Sequence, residues 1–263
     1  MCNFIHKNFK EAISVAAAKL YNKSELIESQ TWQSVKTAGE PGMKMWEVLN
    51  HYFQVPMENL TIDEMRGHIK PNLPWADIHF EERIGGLPLN PGESYKQWPF
   101  YKRDKDMRNE GEKFSHTYME RFWPKYANRS QKELPGSGIR YEYGDLQDVV
   151  NLLRNDPTTR QAFLPVWFPE DTGATHGKRV PCTIGYHFII RKNKLHITYY
   201  IRSCDFLRHF RDDIYLAVLL TEWVRGWVNL TLELGTYTMH IGNLHIFEYE
   251  KPILRKQIDH GTF

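Results

Sequence analysis

Cys182 stands in RVPCTIGYHF, residues 179–188, where a thiol follows a proline and leads into alternating apolar and polar residues. A thiol becomes a nucleophile when nearby cations favour its thiolate, and Arg179 lies just upstream. A cysteine at a strand edge is more often a small hydrophobe in the core, and the local residues by themselves favour that plainer role. A second cluster is YIRSCDFLRHFRDDIY, residues 200–215, which gathers Arg202, Ser203, Asp205, Arg208, Arg211, Asp212 and Asp213. Guanidinium and hydroxyl donors together suit a phosphate. The plainer reading is a charged connection whose Asp212 or Asp213 caps the next helix. Arg160 in NDPTTRQAF suits an anion or, better on its residues alone, a helix C-terminus. His245 in GNLHIF reads alone as a satisfied core histidine. No CxxC, HExxH or tight His/Cys cluster argues for a metal, and no Gly-rich phosphate loop argues for a dinucleotide or triphosphate.

Several elements must hold these residues. Residues 6–20 have Phe9, Ile13, Ala16 and Leu20 at helical spacing. Residues 46–53 (WEVLNHYF) fit either strand or helix. Trp75 to Arg83 suits a short helix within a Pro- and Gly-rich loop, and 102–136 reads as a polar surface insertion containing a helix. Residues 145–154 form an amphipathic helix that should stop at the NDP stretch. QAFLPVWF, TIGYHFII and LHITYYI are β-branched and aromatic runs and read as strands, the last two joined by an RKNK hairpin. Residues 213–227 return to helical spacing, 230–240 alternate, and 241–250 are expected to open another helix. Strands and helices follow no βαβ rhythm, so the fold class is α+β.

Composition sets the outer bounds. The chain has 263 residues, 41% hydrophobic and 25% charged, which fits a single domain over 1–263. A net charge of +2 offers no broad basic surface for nucleic acid or for a membrane. Three cysteines do not suggest a disulfide framework, and a reducing, cytoplasmic location is expected. The N-terminal stretch reads as an amphipathic helix rather than a signal peptide.

In chain order, four blocks resemble the thymidylate synthase superfamily: NDPTTRQAFLPVWFPED, PCTIGYHFIIRKNKLHITYYIRSCD, the FRDD-led helix and GNLHIF. They fall within roughly 139–250. The closer resemblance is to the phage-type deoxycytidylate 5-hydroxymethylases, on Phe210-Arg211-Asp212-Asp213 and Cys182-Thr183. Thymidylate synthases have asparagine at position 213, where an amide reads both the N3–H and O4 of uracil. Cytosine offers an N4 amino donor and an N3 acceptor, which a carboxylate can meet once N3 is protonated.

The resemblance implies a mixed sheet packed on helices, a homodimer through that sheet, and 5,10-methylenetetrahydrofolate as co-substrate with no metal. The substrate is a pyrimidine nucleoside monophosphate, dCMP first. Cys182 adds to C6 of the base, C5 attacks the one-carbon unit, and water completes a 5-hydroxymethyl group. Thymidylate synthases instead deliver a hydride and make a methyl group. Carried over by position, Arg202 and Ser203 bind the phosphate, and Arg160 reaches the phosphate in the neighbouring subunit. Asp205 meets the folate pterin, Tyr143 lines the site near the thiol, and His245 meets the sugar 3′-hydroxyl. Glu82, or nearly as well Glu81, is the general acid/base, and Lys44 stands in for an arginine of the N-terminal phosphate loop. The chain departs from the pattern at Gln161, where a second arginine is usual, and at Phe247, where a sugar-binding tyrosine is usual. A ribonucleotide substrate and a nucleotide-binding protein without turnover therefore stand as alternatives, beside a cytidylate methylase and a thymidylate synthase acting on dUMP.

Overall fold

The computed structural model describes residues 4–32, 35–98, 114–125, 144–172 and 179–263. Six strands form a mixed sheet in the order β1-β4-β8-β7-β6-β5: β1 (Glu25–Ile27), β4 (Met45–Pro56), β5 (Phe163–Pro165), β6 (Thr183–Arg191), β7 (Lys194–Asp205) and β8 (Glu233–Phe247). The β7–β8 pair is parallel and its neighbours are antiparallel. Two short strands, β2 (Thr31–Trp32) and β3 (Val35–Lys36), pair separately. Among the described residues seven α-helices occur: α1 (Phe9–Lys23), α2 (Ile62–Ile69), α3 (Trp75–Ile84), α4 (Tyr118–Phe122), α5 (Leu146–Asn155), α6 (Phe210–Val228) and α7 (Lys251–His260). The α+β class expected from the sequence holds.

The helices form for local reasons. Asn8 accepts the Glu11 amide at 2.9 Å to start α1, whose Phe9, Ile13, Ala16, Ala17 and Leu20 are fully buried. Thr61 with Glu64, and Asp145 with Asp148, make capping boxes for α2 and α5. The β6–β7 hairpin turns on Lys192 and Asn193, both at positive φ (50° and 59°), as a two-residue turn matched to strand twist requires. Helix α6 buries Phe210, Ile214, Tyr215, Ala217, Val218, Leu220 and Val224, and it is in contact with β7 and β8.

One row of the sheet departs from regular alternation and bears on the site. The ladders skip Asn50, Gly242 and Arg202, which lie side by side on β4, β8 and β7. Asn50 has φ 50°, and a Cβ on Gly242 would come within 2.8 Å of the Arg202 carbonyl oxygen. The strand residues of the main hydrophobic core change parity across this row. They are Phe53 and Val55 on one side of β4 and Val48 on the other; Tyr237, Met239 and Ile241 then Leu244 and Ile246 on β8; and Ile197, Tyr199 and Ile201 then Cys204 on β7. This break in period explains the ambiguity of 46–53. It also overturns the helix expected from 241: those residues continue β8 to Phe247, paired with β4 as far as Phe247 and with β7 as far as His245, and α7 starts only at Lys251. The expected insertion at 102–136 falls mostly outside the described residues, α4 being its described helix. No described helix is long and apolar enough to cross a membrane.

Candidate active site

Beyond the parity change, β4, β7 and β8 present Glu47, Ser203, Asp205, Asn243 and His245 to a cavity of about 840 Å³. Register brings three of them into one row, since Glu47 pairs with His245 and His245 with Asp205. The opposite wall comes from Trp75, His79 and Arg83 of α3, Trp98, Tyr118, and Asp212 and Asp213 of α6. Cys182, Arg202 and Arg179 line it at the loop before β6.

Arg202 ties that loop down. Its amide donates to the Cys182 carbonyl at 2.9 Å, and its guanidinium donates to the carbonyls of Pro181 (2.9 Å) and Val180 (3.3 Å). Nη2 then stands 4.0 Å from Cys182 Sγ. Burial pushes the thiol up, and the Arg202 and Arg179 guanidinium groups pull it back towards the thiolate while Asp213 opposes them. Behind the thiol, Thr183 Oγ1 links the hydroxyls of Tyr118 (2.9 Å) and Tyr199 (2.8 Å).

Asp213 lies one turn into α6. Burial raises its carboxyl to about 7, against the favourable charge of Arg83. The Cys204 thiol donates weakly to Oδ2 at 3.6 Å. Arg83 is buried with its guanidinium over the Tyr118 ring at 4.0 Å, and its Nε has no hydrogen-bond partner among the described residues. Neither aspartate caps α6, as the sequence alone had suggested. His209 occupies the cap position, and Asp212 accepts the Asn72 amide and side chain at 2.8 and 2.7 Å. Asp205 organises the helix entrance instead, accepting the amides of Leu207 (3.2 Å) and Arg208 (3.1 Å) and the Arg208 guanidinium at 2.5 Å. Arg208 also pairs with Glu250 and donates to the Tyr249 hydroxyl.

His245 is buried and its pKa is lowered by burial. Nδ1 meets Asn243 Oδ1 at 2.9 Å, Asn243 donates to Glu47, and Nε2 has no partner among the described residues.

The expected residues therefore divide. Cys182, Arg202, Ser203, Asp205, Asp213 and His245 share the cavity. Glu82 does not line it: its carboxylate accepts the Ser94 hydroxyl and, at 3.0 Å, the Ser94 amide. Glu81 is exposed. Lys44 is exposed and contributes its carbonyl to the Glu248 amide, away from the cavity. Arg160 is exposed outside the cavity of its own chain, its carbonyl accepting from His187. Tyr143 lies outside the described residues. Gln161 is exposed, and Phe247 is fully buried beneath Arg208. Sequence reasoning missed His79, Arg83, Tyr118, His116 and His209. The spacing Trp75–His79–Arg83 would have placed three cavity residues on one face of a helix. Burial holds His116 at about 3 and His209 at about 4, so both imidazoles are neutral near pH 7. Among the described residues no group of three or more His, Cys, Asp or Glu side chains could hold a metal ion.

Comparison with known proteins agrees with this architecture. A putative thymidylate synthase of Methanococcoides burtonii is 27% identical over 200 residues, covering 76% of this chain and 84% of its own. One from Methanosarcina acetivorans is 31% identical over 109 residues, covering 41% and 48%. A bifunctional dihydrofolate reductase-thymidylate synthase of Paramecium tetraurelia is 31% identical over 114 residues, covering 43% of this chain; the match spans only 24% of the Paramecium protein. Thermostable thymidylate synthase A from Bacillus subtilis shares the fold, with a TM-score of 0.68 over 96% of this chain and 84% of its own at 17% identity. The thymidylate synthase family model matches residues 31–262, nearly the whole chain. By this match, with its mixed sheet and shared cavity, the chain belongs to the thymidylate synthase family.

Proposed function

We propose that the protein is a one-carbon transferase that 5-hydroxymethylates a cytidine monophosphate, dCMP first, using 5,10-methylenetetrahydrofolate and water. The observation that carries this reading is Asp213 in one cavity with Cys182, its carboxyl pushed up by burial to about 7. A carboxyl poised there accepts from N4–H of cytosine and shares one proton with N3. Uracil O4 is a much weaker base than cytosine N3, so the same proton supports uracil less well. Mismatch in a buried polar site discriminates strongly because groups are left unpaired.

In this reading Cys182 adds to C6, with Arg202 and Arg179 favouring its thiolate. Arg202 and Ser203 receive the phosphate. His245 Nε2, unpartnered among the described residues, meets the sugar, and Asp205 keeps acceptor capacity on Oδ2 for the pterin. A homodimer completes the site, with Arg160 of each chain serving the other. The sheet face that would carry it has an aromatic row: Phe4 on Tyr52 (4.1 Å), Tyr52 on His240 (5.3 Å), His240 by Tyr200 (5.4 Å), and Tyr200 by Phe163 (6.3 Å). A location in the cytoplasm suits the free thiols.

The test is incubation of the protein with dCMP, CMP or dUMP and methylenetetrahydrofolate, followed by product mass. A 5-hydroxymethyl cytidylate with tetrahydrofolate is expected; inertness of both cytidylates sinks the proposal. The names of the relatives favour a second reading, methylation of dUMP. It would give a 5-methyl product, dihydrofolate and tritium release from C5 of dUMP. A protein that binds nucleotide and turns over none of the three would be a non-catalytic binder.

A further inference from the structure

On the α3 side, the cavity contains a histidine whose hydrogen bonds have a direction. His79 is buried, stacks on Trp75 with centroids 4.9 Å apart, and meets the edge of Tyr95 at 5.1 Å. Its Nδ1 lies 2.9 Å from Ser94 Oγ. Ser94 directs its single hydroxyl proton to Glu82 Oε2, while its amide donates to Oε1 at 3.0 Å. The Ser94 oxygen is therefore the acceptor toward His79, which puts the imidazole proton on Nδ1. Nε2 is left as a lone pair, with no protein partner among the described residues, on a ring that lines the cavity. Gly92 closes the far end: a Cβ there would come within 2.0 Å of Glu82 Oε2. Room for this carboxylate is thus built into the backbone.

We infer that Glu82, Ser94 and His79 form a directed chain in which His79 Nε2 is the general base for the water that completes the one-carbon transfer. Ser94 and Glu82 are positioning residues. The inference rests on the cytidylate reading above. As the water oxygen bonds the exocyclic methylene carbon, an O–H bond breaks and its proton goes to Nε2. The methylene double-bond pair moves into the ring, C5=C6 re-forms, and Cys182 leaves C6 as thiolate. The imidazolium then returns its proton to bulk water.

Two features suit His79 to this step. Burial, helped by the Arg83 charge, holds its pKa well below the usual histidine value, so the ring is neutral at pH 7. The Glu82 carboxylate, acting through Ser94, stabilises the cation as it forms. The groups sharing its surroundings are Arg83 on α3, Tyr95 in the 93–97 turn, Asp212 and Asp213 on α6, and His209 before it. Tyr118, His116 and Arg179 complete the cavity lining around it.

The full chain tests this in two independent ways. Long-range 1H–15N NMR of the ligand-free protein at pH 7 should show His79 as the neutral Nδ1–H tautomer, and Ser94→Ala should remove that preference. An Nε2–H tautomer overturns the chain. With dCMP and methylenetetrahydrofolate, His79→Gln should lower hydroxymethyl product formation by about 10²-fold or more, with nucleotide binding and tritium release from C5 retained. Ser94→Ala should lower kcat less and displace the acid limb of the pH–rate profile while leaving KM for dCMP unchanged. A His79→Gln enzyme with wild-type product rate and an intact acid limb refutes the assignment. Should that variant unfold by circular dichroism, an unmoved acid limb in Ser94→Ala refutes it equally. A wild type with the Nδ1–H tautomer but no turnover of cytidylate sinks the substrate reading and still supports the chain.

Discussion

The sheet side of the cavity holds Cys182, Arg202, Ser203, Asp205 and His245 on strand ends and on the loop tied to them. The helical side holds Trp75, His79, Arg83 and Asp213 on α3 and α6. On the sheet side most polar side chains are already engaged: Arg202 on loop carbonyls, Asp205 by Arg208, and His245 by Asn243 through Nδ1, its Nε2 alone left open among the described residues. On the helical side, buried groups are left short of partners. Among the described residues Arg83 Nε has none, and the Asp213 carboxyl has only a thiol. Buried charge without full hydrogen bonding is costly, and such groups cluster where ligands are recognised. The sheet is thus a frame that fixes positions, and the helices carry the groups to which the proposed reading assigns base choice and proton transfer.

The sharpest way to break the comparison is at the thiol. Cys182→Ala should abolish turnover while nucleotide binding by equilibrium dialysis persists; residual product would mean that another group attacks the base. Next in size is Arg208, which joins the sheet frame to α6 and the C-terminal segment through Asp205 and Glu250. Arg208→Met strands two buried carboxylates and should cost about 3–5 kcal/mol in urea unfolding. A loss below about 1 kcal/mol, the scale of an exposed pair, would show that the frame does not depend on it.

On the helical side, Asp213→Asn should move the kcat/KM preference from cytidylate toward uridylate by about 10²-fold or more, because it reverses one donor–acceptor pair in a buried site. Retained cytidylate preference would take base choice away from this residue. The smallest effect is on stability. Asp213 titrates higher when folded, so the native state binds the extra proton between about pH 4, the unfolded value, and about 7. Stability is therefore lost as pH rises through that window. Asp213→Asn should narrow the difference in Tm between pH 5 and pH 8 in the ligand-free protein, and an unchanged difference would show that burial does not raise this carboxyl.

The frame was legible in the residues. Aromatic and β-branched runs at 163–201 marked strands, RKNK marked their turn, and the order of Arg160, Cys182, Arg202-Ser203 and Asp205 marked the family. Local period and turn chemistry suffice for those because strands and hairpins are specified over a few residues. Residues 241–247 were misread because the parity change at Asn50, Arg202 and Gly242 is a property of three paired strands. Its cause lies across the sheet, where no single strand records it.

The helical wall shows the same limit at the level of chemistry. Two adjacent glutamates in HFEER drew attention as acid/base candidates, yet which side chain of α3 meets the cavity depends on how the helix rotates against α6 and the 93–97 turn. Packing turns His79 and Arg83 inward and ties Glu82 to Ser94. The sequence by itself determined the strands from 163 to 201, the order of motifs and the frame around Cys182. Only the tertiary structure decided which helix residues enter the cavity and how burial tunes them, because desolvation and side-chain direction arise from neighbours distant in the chain.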